Sequence, residues 1–290
     1  MPAPDRIVAV VGPTASGKSS LAVEIARRLG SAEVVNGDSM QLYRGMDVGT
    51  AKPSEAERGG ITHHLFDVLD VTETASVADF QAQARAVIAD CHSRGVTPVL
   101  VGGSSLYVRA VLDRLEFPGT DPQIRDKWKA ELEARGADAL HAELARRDPA
   151  AAAQILPTND RRVVRALEVN ELTGKPFIAT MPPYESIYDN LLMLGLDVPR
   201  DVLDIRLSDR VDQMWADGFV DEVRRLLPLG IERGMTASRA LGYQQILQYL
   251  NGELTEDEAR EATVTGTRKF ARRQDRDFRK DPRVHWLRGA

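Results

Sequence analysis

Ile7-Val-Ala-Val-Val-Gly12-Pro-Thr-Ala-Ser-Gly17-Lys18-Ser19 decides how this chain is to be read. A short β-branched run feeds a loop spelled G-x-x-x-x-G-K-S. Ser19-Ser-Leu-Ala-Val-Glu-Ile-Ala-Arg-Arg-Leu29 then has the spacing of an amphipathic helix. Strand, glycine loop and helix in that order form a phosphate cradle. Backbone N–H groups and the positive end of the helix dipole converge on one point. Lys18 adds a full charge, and the Ser19 hydroxyl can ligate Mg²⁺ that bridges phosphate oxygens. The loop therefore predicts a bound di- or triphosphate without saying whose it is. A guanine-reading Asn-Lys-x-Asp is absent, which disfavours a GTPase. On the loop alone an ATP-using small-metabolite kinase is the default.

Composition narrows the class. The 290 residues are 43% hydrophobic and 28% charged, the balance of an ordinary globular protein with a real core. No apolar run approaches the ~18 residues of a membrane helix, and Met1–Asp5 lacks a charged-then-apolar signal. Cys91 is the single cysteine, so no internal disulfide and no cysteine-based zinc site can form; it reads as small buried filler on a helix. A cytoplasmic protein without membrane contact is expected. The net charge of −5 argues against nucleic acid when taken alone. Its placement argues otherwise: Arg268, Lys269, Arg272, Arg273, Arg276, Arg279 and Lys280 crowd one C-terminal stretch, and Arg161, Arg162 and Arg165 another. Two basic surfaces on an acidic chain suit a polyanion bound over a limited footprint. They equally describe solvated helix faces, with Asp275 and Asp277 offsetting the tail.

The first hundred residues alternate strand and helix signals. Strands are expected at Ile7–Val11, Glu33–Asn36, around His63–Val68 and at Thr97–Val101, with a helix from about Ser76 to Arg94. That alternation predicts an α/β fold with a parallel sheet flanked by helices. Ligands of such sheets bind at the carboxyl ends of the strands, which brings Gly12–Ser19, Gly37–Tyr43 and Gly102–Tyr107 to one site. After Phe117 the chain becomes Ala-, Glu- and Arg-rich with helical periodicity, and Leu191–Leu196 returns to strand character. The predicted organisation is a core of residues 1–117 and 190–290 with an all-helical insertion at 118–189. The C-terminal part reads as helical, with Val211, Met214, Trp215, Val223, Leu226 and Leu227 at packing positions. His63-His64 reads as structural, because adjacent strand residues point to opposite sides and no ligand spacing supports a metal.

Beyond the cradle, Asp38-Ser-Met-Gln-Leu-Tyr-Arg-Gly-Met-Asp-Val-Gly-Thr-Ala-Lys-Pro53 resembles the tRNA dimethylallyltransferases, the isopentenyl-pyrophosphate transferase family. The resemblance continues through His63-His64, Val101–Tyr107, Asp160–Glu168, Ser238–Tyr243 and Thr267–Gln274, in order and over nearly the whole chain. It implies a P-loop α/β core with a helical insertion. It also implies transfer of a dimethylallyl group from dimethylallyl pyrophosphate to N6 of adenine-37, beside the anticodon of tRNA. The cradle would then grip a leaving pyrophosphate through Gly12, Thr14, Ala15, Ser16, Gly17, Lys18 and Ser19, with Mg²⁺ on Ser19.

By the same resemblance Asp38 takes the place of the catalytic aspartate that accepts the N6 proton. Ser104 and Arg210 would complete the catalytic set, and Arg210 would reach the pyrophosphate. Read without the resemblance, Asp38 is a helix cap or an outer metal ligand, and Arg206 with Arg210 is a helix face paired to Asp209 or Asp212. Asp38, Ser39, Met40, Gln41 and Ser104 would meet the extruded base, with Gln41 reading an adenine edge. Arg125, Arg161, Arg162 and Arg165 would lie against the anticodon stem-loop. The expected partners are that RNA and the allylic donor, with the enzyme acting as a monomer. Three residues depart from the family pattern: Ser104 stands where Thr is common, Gly37 where Ala is common, and Asp277 where an aromatic is common. Gly37 predicts a looser turn before Asp38. With one cysteine the chain cannot carry the zinc finger of eukaryotic members, which makes it bacterial in type. A kinase and a non-catalytic RNA-binding module are the competing readings.

Overall fold

The computed structural model describes residues 5–178 and 181–288, so the expectation drawn from the extreme N-terminus lies outside the described residues for positions 1–4. Two compact units divide the chain, one of Met1–Arg114 with Glu185–Ala290 and one of Leu115–Tyr184. The first carries β1 (Arg6–Val11), α1 (Lys18–Leu29), β2 (Ala32–Asn36), α2 (Glu55–Arg58), β3 (His63–His64), α3 (Val77–Ser93), β4 (Thr97–Gly102) and α4 (Ser105–Leu112). The second carries α5 (Pro122–Arg135), α6 (Ala137–Arg147), α7 (Pro149–Ala152) and α8 (Asp160–Thr173). The first unit then resumes with β5 (Asn190–Asp197), α9 (Arg200–Ala216), α10 (Phe219–Leu226), α11 (Tyr243–Leu250), α12 (Glu256–Phe278) and β6 (Val284–Arg288).

Six strands form one parallel sheet in the order β3-β2-β4-β1-β5-β6. Period-two alternation along β1 feeds two cores. Ile7, Ala9 and Val11 share one core with Phe80, Ala84 and Ile88 of α3 and Val108 and Val111 of α4. Val8 and Val10 share another with Ala22 and Ala26 of α1. Register aligns Val11 with Gly102 and with Gly195, and Asn36 with Val101. The loops after β1, β2 and β4 therefore leave the sheet along one edge. Ser76 caps α3 by accepting from the Asp79 N–H, and Cys91 is buried on that helix.

Three differences from the sequence reading have local causes. Strand character near His63 stops at His64, where Leu65 and Asp67 turn the chain with positive φ. The short run Val284–Arg288 forms a sixth strand at the sheet edge; three of its five residues are exposed, so its periodicity carries little hydrophobic signal. The first unit begins again at Glu185, because Arg114 N–H donates to Glu185 O (3.1 Å) and Ile187 N–H to Leu112 O (2.8 Å). Residues 185–189 thus belong with the sheet.

A third core joins α10 and α11 to the segment after Asp38, through Tyr43, Met46, Phe219, Val223, Tyr243 and Ile246. At its centre Glu222 is 2% exposed. Its carboxylate accepts from the N–H groups of Asp47 (3.0 Å), Val48 (2.7 Å) and Gly49 (3.1 Å), and from the Tyr243 hydroxyl (2.5 Å). Removing one acceptor here strands several buried donors, each costing about 1–3 kcal/mol. Glu222→Leu should lower unfolding free energy by roughly 3–5 kcal/mol in urea titrations, and Glu222→Gln by clearly less. Equal losses for the two variants would contradict this account.

Candidate active site

The phosphate loop takes its curvature from Ala15 (φ 61°) and Gly17 (φ 93°), both in the left-handed region. Ala15 packs against Leu203 and Leu207 of α9 and Ala271 of α12, so the loop rests on two helices far away in sequence. Ser19 sits exposed in the first turn of α1. Ser16 is 4% exposed, and its buried Oγ has no hydrogen-bond partner. Lys18 Nζ donates to Pro13 O at 2.6 Å. Burial, reinforced by the Arg210 charge and opposed by Asp38, pushes the Lys18 ammonium down to about 8.

Thr14 is committed elsewhere. Its N–H donates to Gln274 Oε1 at 2.9 Å, and its hydroxyl accepts from Arg210 Nη1 at 3.3 Å. The Thr14 amide is thus a loop anchor in this structure, not an open phosphate donor. Burial pushes the Arg210 guanidinium below its ordinary value, against the pull of Asp38 and Glu57. Of the two partners named in the surface-pairing reading, Asp212 bonds Arg260 instead (2.6 Å), and Arg210 reaches Thr14.

Asp38 follows β2 in a tight clamp. Its N–H donates to Asn36 Oδ1 (2.9 Å), and Asn36 Nδ2 donates to Asp38 O (3.0 Å) and Leu65 O (2.9 Å). Asp38 Oδ1 accepts from the Met40 N–H at 2.9 Å. Gly37 does not loosen this turn. Its N–H donates to Val101 O at 2.7 Å, and a Cβ there would lie 2.9 Å from that oxygen. Ser104 sits at the N-cap position just before α4, and its hydroxyl makes no capping bond. Burial pushes the Tyr107 hydroxyl up to about 12, against the opposing pull of the Ser39 side chain.

Thr14, Asp38, Ser39, Met40, Ser104 and Arg210 line one cavity of about 540 Å³. Val211, Met214, Phe219, Leu241 and Phe270 add apolar lining. α12 adds Lys269, Arg273 and Gln274. Gln41 is turned away from base reading: its Nε2 donates to Thr50 O (3.1 Å) and Ala51 O (3.3 Å).

Two of the four arginines expected to face RNA are held within the helical unit. Glu168 is fully buried and accepts from Arg125 Nη2 (2.8 Å), Arg165 Nη1 (2.9 Å) and the Asp121 N–H (3.0 Å). Arg165 also donates to Pro118 O at 2.6 Å. Arg161 and Arg162 are exposed. The C-terminal basic run divides similarly. Arg272 pairs with Asp204 (3.4 Å), Arg279 with Asp197 and Asp275, and Lys280 with Asp277 (3.6 Å). Lys269 and Arg273 reach the cavity.

His63 Nδ1 bonds Ile61 O (2.8 Å) and its ring stacks on Phe66, while His64 Nε2 bonds Glu33 (2.7 Å). Ligand atoms of Glu33, His64 and Cys91 lie within 4.8 Å of one another. Arg94 already supplies a cation there, bonding both Glu33 oxygens (2.8 and 2.7 Å) and holding that carboxyl down to about 2. Burial pushes the Cys91 thiol up to about 12, far from thiolate character.

Sequence reasoning missed Asn36, Glu222 and Gln274. Glu222 left a trace, an acid on the apolar stripe of Phe219-Val-Asp-Glu-Val-Arg-Arg-Leu226. Asn36 closes strand β2 two positions before Asp38, and Gln274 ends the Thr267–Gln274 motif; what the sequence did not show for Gln274 is its partner Thr14, 260 positions away.

The family model of IPP transferases matches residues 41–281. The tRNA dimethylallyltransferase of Thermobifida fusca is 61% identical over 285 residues, covering 97% of this chain and 89% of the relative. A solved tRNA isopentenylpyrophosphate transferase from Bacillus halodurans superposes with a TM-score of 0.72 at 44% identity, covering 98% of this chain and 90% of that one. A solved eukaryotic dimethylallyltransferase acting on tRNA gives 0.83 at 28% identity, covering 98% and 74%.

An anion in the cradle stabilises the charged form of Lys18, so binding must raise its depressed pKa. In a ¹⁵N NMR titration Lys18 Nζ should titrate near pH 8 in the free protein and move upward on adding pyrophosphate. Between those two values pyrophosphate affinity should fall as pH rises. A free-state value above about 10 would contradict the burial argument.

Proposed function

From the premise that this chain belongs to the IPP transferase family, we propose that it transfers a dimethylallyl group from dimethylallyl pyrophosphate to N6 of adenine-37 in a tRNA anticodon stem-loop. The observation carrying this reading is the cavity itself. Thr14 of the cradle loop, the clamped Asp38, the Ser104 hydroxyl and Arg210 share that cavity with an apolar lining that suits an isoprenoid tail better than a nucleotide. Similarity to tRNA dimethylallyltransferases favours this over a metabolite kinase.

The chemistry follows from the placement. The C1–O bond of the allylic donor breaks, and its electron pair leaves with pyrophosphate. Lys18, the cradle N–H groups and Arg210 stabilise the charge that grows there. The adenine amine forms the new bond at C1 and must lose a proton. Asp38 Oδ1 is occupied by the Met40 N–H, which leaves Oδ2 to accept that proton. Asn36 fixes the backbone on both sides of the carboxylate. Ser104 would hydrogen-bond the reacting amine or its base.

The exposed Ser19 hydroxyl and the unpartnered Ser16 Oγ are hard oxygen donors that fit Mg²⁺. When bound, Mg²⁺ would supply further charge neutralisation to the departing pyrophosphate. No helix among the described residues is long and apolar enough to cross a membrane. Arg161 and Arg162 offer phosphate contacts, whereas Arg125 and Arg165 would shape the surface by holding Glu168.

Incubation with Mg²⁺, labelled dimethylallyl pyrophosphate and an anticodon stem-loop should place label in the RNA. Asp38→Ala should slow transfer about 10²–10⁴-fold while leaving pyrophosphate binding intact. ATP turnover with no label in RNA would return the cradle to a kinase. RNA affinity should also fall steeply with salt, and Arg161→Ala or Arg162→Ala should each reduce the log–log slope by about 1. Binding that barely changed between low and moderate salt would remove the phosphate contacts.

A further inference from the structure

Gln274 of α12 is 5% exposed and holds the Thr14 N–H on its Oε1 at 2.9 Å. On its other side, a Cβ built on Gly103 would stand 2.4 Å from Gln274 Nε2 and 3.5 Å from Gly12 O. One amide side chain thus fills the gap between the diphosphate cradle and the loop that carries Ser104. Thr14 passes the constraint on, because its hydroxyl receives Arg210 at 3.3 Å. The same helix presents Lys269, Phe270 and Arg273 to the cavity and packs Ala271 near Ala15.

We propose that Gln274 is a positioning residue for the transfer reaction, setting the cradle and Arg210 in register with Ser104 through the Thr14 peptide. This rests on the transfer reading above. Without the Oε1 acceptor the Thr14 N–H loses its partner, and the loop can relax toward any other acceptor. Displacing a reacting group by about 1 Å costs on the order of 100-fold in rate. The effect falls on chemistry and donor binding, since Gln274 itself is buried away from solvent.

The test compares wild type with Gln274→Met, Gln274→Glu, Gly103→Ala and the Gly103→Ala/Gln274→Met double variant. Gly103→Ala pushes against only the flexible end of Gln274, so it displaces the amide while preserving the fold. Gln274→Met and Gly103→Ala should each lower the saturated transfer rate about 10- to 100-fold and raise the donor KM. RNA affinity should stay within about two-fold, as the altered groups touch no RNA-facing charge. The double variant should be no worse than the poorer single one, because both remove the same contact. Gln274→Glu keeps an acceptor for Thr14 and should recover most of the saturated rate, with donor KM still raised by its charge.

Wild-type kcat and donor KM in both single variants would overturn the proposal. So would losses that multiply in the double variant, or a loss confined to RNA affinity. Should wild type transfer no label, affinity for inorganic pyrophosphate still decides. A weaker affinity in Gln274→Met upholds the clamp while the transfer reading fails, and an unchanged affinity overturns the clamp as well.

Discussion

The site depends on a close backbone approach at the carboxyl edge of the sheet. Gly37 N–H bonds Val101 O at 2.7 Å, and a Cβ on Gly102 would fall 2.9 Å from Gly37 O. With no side chain between the ends of β2 and β4, the loops bearing Asp38 and Ser104 start almost in contact. Parallel register then places the cradle after β1 beside them. An alanine at position 37 could be accommodated only if β4 shifted. In this chain the tightness of the turn comes from glycine, the reverse of the flexibility that residue suggests in isolation.

Within each unit, buried carboxylates act as collection points for donors from distant segments. Glu222 gathers three loop N–H groups and a phenol, and Glu168 gathers two guanidinium groups and a backbone N–H. Asp113, 1% exposed, joins Arg109 of α4 (2.7 Å) to Arg283 beside β6 (2.6 Å). A buried charge is tolerable only when its oxygens are satisfied. Each of these carboxylates therefore imposes one geometry on the segments that satisfy it. Loop 47–49 lies beside the cavity for that reason, and not through any preference of its own residues.

Basic residues sort by the same logic. Most of the C-terminal run is matched to Asp197, Asp204, Asp275 or Asp277, which leaves Lys269 and Arg273 to charge the cavity wall. Asp277, in place of an aromatic, serves as a partner for Lys280 and Arg276 at 3.6 and 3.7 Å. Charge density along a sequence cannot report this division. Neighbours in space, many of them acidic, decide which cations stay available.

The amino-acid sequence by itself determined the phosphate cradle, the α/β alternation and the convergence of three loops, because these depend on local spacing and on the period of hydrophobic residues. The contiguous motifs that hold Asp38 and Ser104, and the resemblance that singles out Arg210, pointed to three residues that line one cavity. Tertiary structure alone decided that Gln274 anchors Thr14, and that Gln41, Arg125 and Arg165 are engaged with the protein itself. A hydrogen bond acts over about 3 Å of space whatever the separation along the chain. Nothing in a linear pattern records which donor will find which acceptor 260 residues away.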